Sequence, residues 1–196
     1  MNVYVATTNQ GKLKEIRELF DEENITVNSL FDSFPDADDV EETGSTFEEN
    51  AILKAETYSN TYQVPVLADD SGLEVYALNG EPGVYSARYA GEGKDDQANM
   101  EKVLDKLSGK VGSDRAAAFV CVLAFAQPNE QTITTEGRCE GELLTEQKGD
   151  QGFGYDPIFQ PSGYSQSFAE LGKEVKNKVS HRRRALEKMT GYLRGN

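Results

Sequence analysis

The sequence predicts an α/β protein built on a long twisted mixed sheet with flanking helices, and three features carry that prediction. The chain opens as strand, polar turn and helix. A long apolar run at 116–126 turns through Pro128-Asn129-Glu130 into a second strand-like segment. Helical periodicities at 45–58, 95–107 and 180–193 are interspersed with the strands. An opening strand–helix unit favours parallel pairing and a tight hairpin favours antiparallel pairing, so the sheet is expected to be mixed.

Taken in order, Asn2 to Ala6 is an apolar run suited to a buried strand, and Thr7 to Gly11 is a polar turn. Lys12 to Phe20 then sets Leu13, Ile16, Leu19 and Phe20 at helical spacing. Asp32 to Glu42 is acidic and irregular. Ser45-Thr46-Phe47-Glu48 has the form of a capping box, and the helix it opens runs to about Tyr58, with Ala51, Ile52, Ala55 and Tyr58 on one side. Val64 to Ala68 reads as a buried strand closed by an Asp69-Asp70-Ser71-Gly72 turn, and Leu73 to Leu78 as another strand ended by Asn79 to Gly83. Asp95 to Leu107 is an amphipathic helix. Ala116 to Ala126 is a long apolar strand, with Gln131 to Glu140 as its antiparallel partner. Gly149 to Pro157 is glycine-rich, and Ser180 to Leu193 is a terminal helix with Leu186, Met189 and Leu193 inward. With no repeat, low-complexity segment or linker, residues 1–196 read as one domain.

Composition narrows the function. Nine Phe and nine Tyr can fill a core, so disorder is not expected. A formal net charge of −14 argues against a basic face for nucleic acid, and no basic-aromatic surface supports an RNA-binding role. A small polyphosphate needs only a few local cations and a metal. The first residues run directly into a strand without a secretory leader, and no apolar segment has membrane-spanning length, so a cytoplasmic protein without a membrane partner is expected. Cys121 and Cys139 lack metal-ligand spacing. Cys121 reads as a packing residue in a reducing compartment.

Five segments carry candidate chemistry, each with a plainer alternative. Thr7-Thr8-Asn9-Gln10-Gly11-Lys12 would present backbone N–H groups and a lysine at a helix start, where phosphate is favoured; a simple N-capped helix explains it about equally well. It lacks the Walker spacing. Asp69 and Asp70 are adjacent at the end of an apolar strand and so point in roughly opposite directions, one into a cleft and one into the turn. A carboxylate there suits Mg²⁺, although an Asp-Ser-Gly β-turn is the commoner explanation. Glu41-Glu42-Thr43-Gly44 offers a second carboxylate, or a solvated acidic loop. In Gly152-Phe153-Gly154-Tyr155-Asp156-Pro157 the glycines allow close approach to a ligand, Phe153 can stack on a base and Asp156 can accept from a ring N–H; otherwise it is a strand-entry turn. Lys176 with Ser180-His181-Arg182-Arg183-Arg184 can hold a phosphate or a base carbonyl, or simply form a solvated helix face.

Together these segments resemble the non-canonical purine nucleoside triphosphate pyrophosphatase family, also called inosine triphosphatase-like or XTP/dITP diphosphatase. ATTNQGKLKEI, EETGSTFEENAILKA, LADDSGLEVYALNGEPGVYSARYAG, GFGYDPIF and SHRRRAL occur in the family's order nearly end to end. The resemblance implies a two-lobed α/β fold with the active site in the cleft between lobes, a homodimer, and Mg²⁺-dependent conversion of ITP, dITP or XTP to monophosphate and pyrophosphate, which clears deaminated purines from the nucleotide pool. By position it implies that Thr7, Thr8, Asn9, Gln10, Gly11 and Lys12 bind the triphosphate. Asp70 is implied as the proton acceptor and a magnesium ligand, Glu41 as a second metal ligand with neighbouring Glu42 as the alternative, and Ser71 as a substrate contact. Phe153, Gly154, Tyr155, Asp156, Lys176, His181 and Arg182 would form the nucleotide pocket. Thr8 stands where the family often has glycine, and Arg183 where a small residue is frequent.

The related Maf-like pyrophosphatases are disfavoured by GFGYDP and SHR, and a non-catalytic nucleotide-binding module by the presence of Glu41, Asp69 and Asp70. Pyrophosphate release implies water attack at the α-phosphorus. A pocket that donates to a 6-oxo group, from His181 or Arg182, would leave groups unpaired with adenine. Guanine shares that oxo group, so its 2-amino group must be excluded by shape or by a missing acceptor.

Overall fold

A computed structural model describes residues 1–21 and 23–195. Six strands hydrogen-bond in the order β2-β1-β3-β4-β5-β6. They are β1 (Asn2–Val5), β2 (Thr26–Ser29), β3 (Val66–Val75), β4 (Ala116–Ala126), β5 (Ile133–Leu143) and β6 (Phe159–Pro161). β1 pairs in parallel with β2 and with β3, whereas β5 and β6 are antiparallel, so the sheet is mixed. The helices are α1 (Gln10–Asp21), α2 (Leu30–Ser33), α3 (Phe47–Tyr62), α4 (Asp96–Lys106), α5 (Phe168–Leu171), α6 (Lys173–Val179) and α7 (His181–Leu193).

The chain divides into two compact units. The first comprises Met1–Asp70, Cys121–Gly137 and Arg182–Asn196, and the second Ser71–Val120 and Arg138–His181. The first packs Val3 and Val5 of β1, Leu13, Ile16 and Phe20 of α1, Leu67 of β3, Leu123 and Phe125 of β4, and Leu186 and Met189 of α7 into one core. The second packs Leu73 and Val75 of β3, Met100 and Val103 of α4, Phe119 of β4, Leu143 of β5, and Phe159 and Phe168 into another. β4 is buried along almost its whole length, which explains its uninterrupted apolar sequence.

Several boundaries differ from the sequence expectations. Asp69-Asp70-Ser71-Gly72 is not a turn: β3 runs straight through it. The pattern misleads because two buried carboxylates inside a strand need counter-charges, and these come from distant parts of the chain. Leu73 to Leu78 is accordingly the end of β3 followed by a short 3₁₀ turn at Tyr76–Leu78. The α3 cap sits one residue later than the Ser45/Glu48 pairing: Thr46 Oγ1 accepts from Glu49 N–H, and the Glu49 carboxylate accepts from Ser45 N–H and Oγ–H. That shift places Asn50 and Ala51 on the inner face. α1 begins at Gln10, two residues early, because Asn9 Oδ1 accepts from Lys12 N–H and caps it. The polar edge strand β2 has no apolar signature in the sequence.

Candidate active site

In the first unit, side-chain direction along β3 is set by strand alternation. Leu67 and Asp69 share one face, and Leu67 packs into the core built with α1 and α7. Asp69 meets cations from both helices. Lys12 Nζ donates to its Oδ2 at 2.9 Å, and Arg182 Nη2 lies 3.7 Å from the same oxygen. Arg182 is 2% exposed and also donates to Glu15 Oε2 at 2.7 Å. Burial alone would raise the Asp69 pKa. The charges of Lys12, Arg182 and Lys54 outweigh it and hold this carboxyl well below the usual range. The same pairing holds Lys12 in the first turn of α1, beside the Gln10 and Gly11 amides that no helical carbonyl can accept from. Thr7 Oγ1 accepts from Asn9 N–H and orders the loop before the cap, while Thr8 is exposed.

Asp70 points the other way, toward α3. Asn50 Nδ2 donates to its Oδ2 at 3.1 Å. Lys54, one turn along α3, donates to the Asp69 carbonyl at 2.6 Å and to Glu42 Oε1 at 2.7 Å. Asp70 is 7% exposed. Its burial, with help from the nearby Glu42 and Asp69 charges, outweighs Lys54 and Asn50 and pushes its pKa up from an ordinary 3.8 to about 6. Two consecutive aspartates thus carry opposite perturbations. The burial of Lys54 is opposed by Asp69, Asp70 and Glu42, which together raise its pKa, so it stays charged.

The carboxylate brought next to Asp70 is Glu42; Glu41 is exposed. The resemblance implies Glu41 as a metal ligand with Glu42 as the alternative; of the two, Glu42 is the one that pairs with Lys54. Among the described residues no three His, Cys, Asp or Glu side chains converge on one point. Asp70 and Glu42 are two carboxylates that could hold Mg²⁺, since that ion commonly takes one or two protein carboxylates and completes its shell with water and phosphate oxygens. Softer metals would look for thiolate or imidazole, and neither appears in this set.

In the second unit the glycine-rich loop is organised by Asp156. Its buried carboxylate accepts from Phe153 N–H at 3.1 Å and from Lys176 Nζ at 2.7 Å. Gly152 has φ +78°, and a Cβ there would run into Asp156 Oδ2. Lys176 Nζ lies 4.2 Å from the centre of the Phe153 ring, which is 42% exposed. Asp156 is therefore placed to hold Lys176 and the loop from beneath, and Phe153 presents the accessible surface. Gly154 N–H donates to Asp96 Oδ2, and Tyr155 Oη–H donates to the Ser86 carbonyl. Ser71 is half-buried in β3. Gly72 beside it leaves no room for a side chain, because Ser86 Oγ and the Gly83 carbonyl occupy the space where a Cβ would lie. Ser86 Oγ accepts from Leu73 N–H and so fastens that end of β3.

The expected His181–Arg182 pair is divided. His181 is buried and stacks on Phe119 at 5.0 Å, whereas Arg182 belongs to the Asp69 pairing of the first unit. Sequence reasoning missed Asn50, Lys54 and Glu15. A usable signal existed for two of them. Asn50 and Lys54 are four residues apart and flank Ala51 and Ala55, so they are polar residues next to the buried stripe of α3.

A family model, described as the Ham1 family, matches residues 3–192. A dITP/XTP pyrophosphatase of Oceanobacillus iheyensis is 51% identical over 191 residues, covering 97% of either chain. One from Bacillus anthracis is 53% identical and covers 95% of this chain and 93% of that one. Among solved structures, the Staphylococcus aureus Ham1 protein aligns with a TM-score of 0.91 at 47% identity, covering 100% of this chain and 99% of that one.

Proposed function

The chain belongs to the Ham1 family, and from that membership and the geometry of the two aspartates we propose that it is a nucleoside triphosphate pyrophosphohydrolase of the nucleotide pool. It converts dITP, ITP and XTP to the monophosphate and pyrophosphate, removing deaminated purines. The observation that carries this reading is the full-length identity of about half to relatives named dITP/XTP pyrophosphatase.

Mg²⁺ is the proposed cofactor, held by Asp70 and Glu42. When bound it would neutralise phosphate charge and lower the pKa of a coordinated water. The chain's own residues divide the remaining work. Lys12, held by Asp69, belongs to the first turn of α1, and its charge together with the free amides of that helix start suits the leaving pyrophosphate. Asp70, with a pKa near neutrality, accepts the proton of the attacking water. Phe153 offers a stacking face, and Lys176 a donor for the 6-oxo group of hypoxanthine or xanthine, which adenine lacks. The proposal includes a homodimer in the cytoplasm. Sedimentation equilibrium tests the first of these; as to the second, among the described residues no helix is long and apolar enough to cross a membrane.

The deciding experiment is a panel of triphosphates with Mg²⁺, measuring pyrophosphate and single phosphate separately. Pyrophosphate from dITP, ITP and XTP, with little turnover of ATP or GTP, is expected. Phosphate as the primary product, or equal rates on ATP and ITP, overturns the reading. Chelator dialysis should abolish activity and Mg²⁺ restore it.

A further inference from the structure

Three polar side chains of α3, Asn50, Lys54 and Tyr58, follow one another at intervals of four residues and so form a column along the helix. All three hold the acidic segment that precedes the helix. Asn50 Oδ1 accepts from Gly44 N–H at 2.7 Å. Lys54 Nζ donates to Glu42 Oε1 at 2.7 Å. The Tyr58 hydroxyl accepts from Val40 N–H at 3.2 Å and donates to the Asp38 carbonyl at 2.9 Å. The contacts thus step down the segment by two residues, from 44 to 42 to 40, as the helix steps up by four. Four helical residues rise about 6 Å, and two extended residues span about 6.6 Å. An extended segment running antiparallel to α3 therefore keeps in step with the column.

The first two members of the column also grip β3. Asn50 Nδ2 donates to Asp70 Oδ2, and Lys54 donates to the Asp69 carbonyl. Asn50 is buried, and Gly44 must be glycine for the fit, since a Cβ there would lie 2.5 Å from Asn50 Oδ1 and 2.7 Å from Glu49 Cβ.

We infer that the Asn50–Lys54–Tyr58 column is a ruler that fixes the register of segment 38–44 and so delivers Glu42, and not its neighbour Glu41, to Asp70. Asn50 and Tyr58 are positioning residues: they act through the segment and through Asp70. The inference rests on Glu42 and Asp70 being the working carboxylates of the proposed hydrolase.

Tyr58→Phe tests it, because the change removes both hydroxyl bonds to the segment and keeps the ring packed edge-on against Phe31. The first readout needs neither metal nor substrate. Amide hydrogen exchange in the segment 38–44 should speed up about thirtyfold, the worth of the two lost hydrogen bonds, while β3 peptides stay as in the wild type. The second readout is kinetic. The Mg²⁺ concentration for half-maximal rate should rise and kcat fall by about tenfold each, as for other losses of support to a metal ligand, with KM for dITP unchanged within about twofold. Asn50→Ala should do the same from the other end of the column, and Glu42→Gln should lose far more activity than Glu41→Gln.

A purely structural Tyr58 would lower the melting temperature and leave kcat and the Mg²⁺ requirement of the folded enzyme at wild-type values; that result overturns the ruler. Unchanged exchange in segment 38–44, or equal losses in the two glutamate variants, overturns it as well. A wild-type protein that releases no pyrophosphate from dITP would sink the proposed function instead, and the exchange measurement would still decide whether the column sets the segment.

Discussion

Asp69 and Asp70 are the same residue type, adjacent on one strand and both nearly excluded from solvent, at 4% and 7% exposure. Alternation turns one toward α1 and α7 and the other toward α3. On the first side wait Lys12 and Arg182. On the second wait a neutral amide, the lysine shared with Glu42, and Glu42 itself. Burial disfavours charge at both positions, so the sign of the outcome is decided by the company each keeps. Asp69 is an ionised anchor for Lys12. Asp70 is a carboxyl whose burial pushes its pKa up to about 6, which suits the general-base role proposed for it. A strand thus builds structural support and reactive group from consecutive residues, without a specialised loop.

Removing the reactive member should have the largest effect. Asp70→Asn should lower kcat by about 10²–10⁴-fold, the span for loss of a general base, with KM little changed. The same variant should be more stable than the wild type at pH 8 in chelator, by roughly 3 kcal/mol, because the carboxylate that must ionise against a pKa of about 6 is gone. Near-wild-type turnover would remove Asp70 from its role. Loss of stability at pH 8 would contradict the environment described for it.

Asp69→Asn should fail in the opposite sense. It takes a counter-charge from the buried Arg182 and from the partly exposed Lys12, and breaking a buried pair costs about 3–5 kcal/mol. Urea midpoints read this directly. Lower activity is expected as well, since Lys12 loses its anchor.

The two variants should also separate in pH. Asp70 has a folded pKa above its unfolded value, so the folded state binds the extra proton and stability falls as pH rises from about 4 to about 6. The advantage of Asp70→Asn over wild type should therefore vanish near pH 4. Asp69 has a folded pKa below its unfolded value, so its contribution persists down to the ordinary 3.8 and disappears only in stronger acid. The deficit of Asp69→Asn should be constant from pH 8 to about 4. Parallel pH curves for the two variants would refute the contrast. For catalysis the sign follows from Asp70 needing to be ionised: kcat/KM should fall on the acid side, and Mg²⁺ beside the carboxylate should carry that fall below the pKa of about 6 of the metal-free group.

Elements with strong periodicity were legible in the sequence: the β1–α1 opening, the α3, α4 and α7 helices and the β4 run all follow from local pattern. The stretch through Asp69 to Gly72 was not, because its strand conformation depends on Lys12, Asn50, Lys54 and Arg182, between 15 and 113 residues away along the chain. Periodicity contains no record of such pairings. Sequence leaves Glu41 and Glu42 as alternatives for a related reason: an irregular loop has no phase of its own, and its register comes from α3. Likewise His181 and Arg182 are chain neighbours, and consecutive helical residues diverge by about 100°, so one meets Phe119 and the other Asp69 and Glu15.

The smallest effect, and the sharpest test of the Asp69 side, is expected from Arg182→Lys. The guanidinium reaches Glu15 through Nη1 and Asp69 through Nη2, a two-pronged arrangement that one ammonium cannot reproduce. Charge is retained, so the loss should be about 1–2 kcal/mol in stability, the order of one charge-assisted hydrogen bond. Because Arg182 is sealed beneath Asp69, the ratio of dITP to dGTP turnover should stay within about twofold of wild type, whereas a side chain lining the base pocket would shift it by tenfold or more. A changed ratio with unchanged stability would return Arg182 to the base pocket, leaving Lys12 as the cation that holds Asp69 ionised.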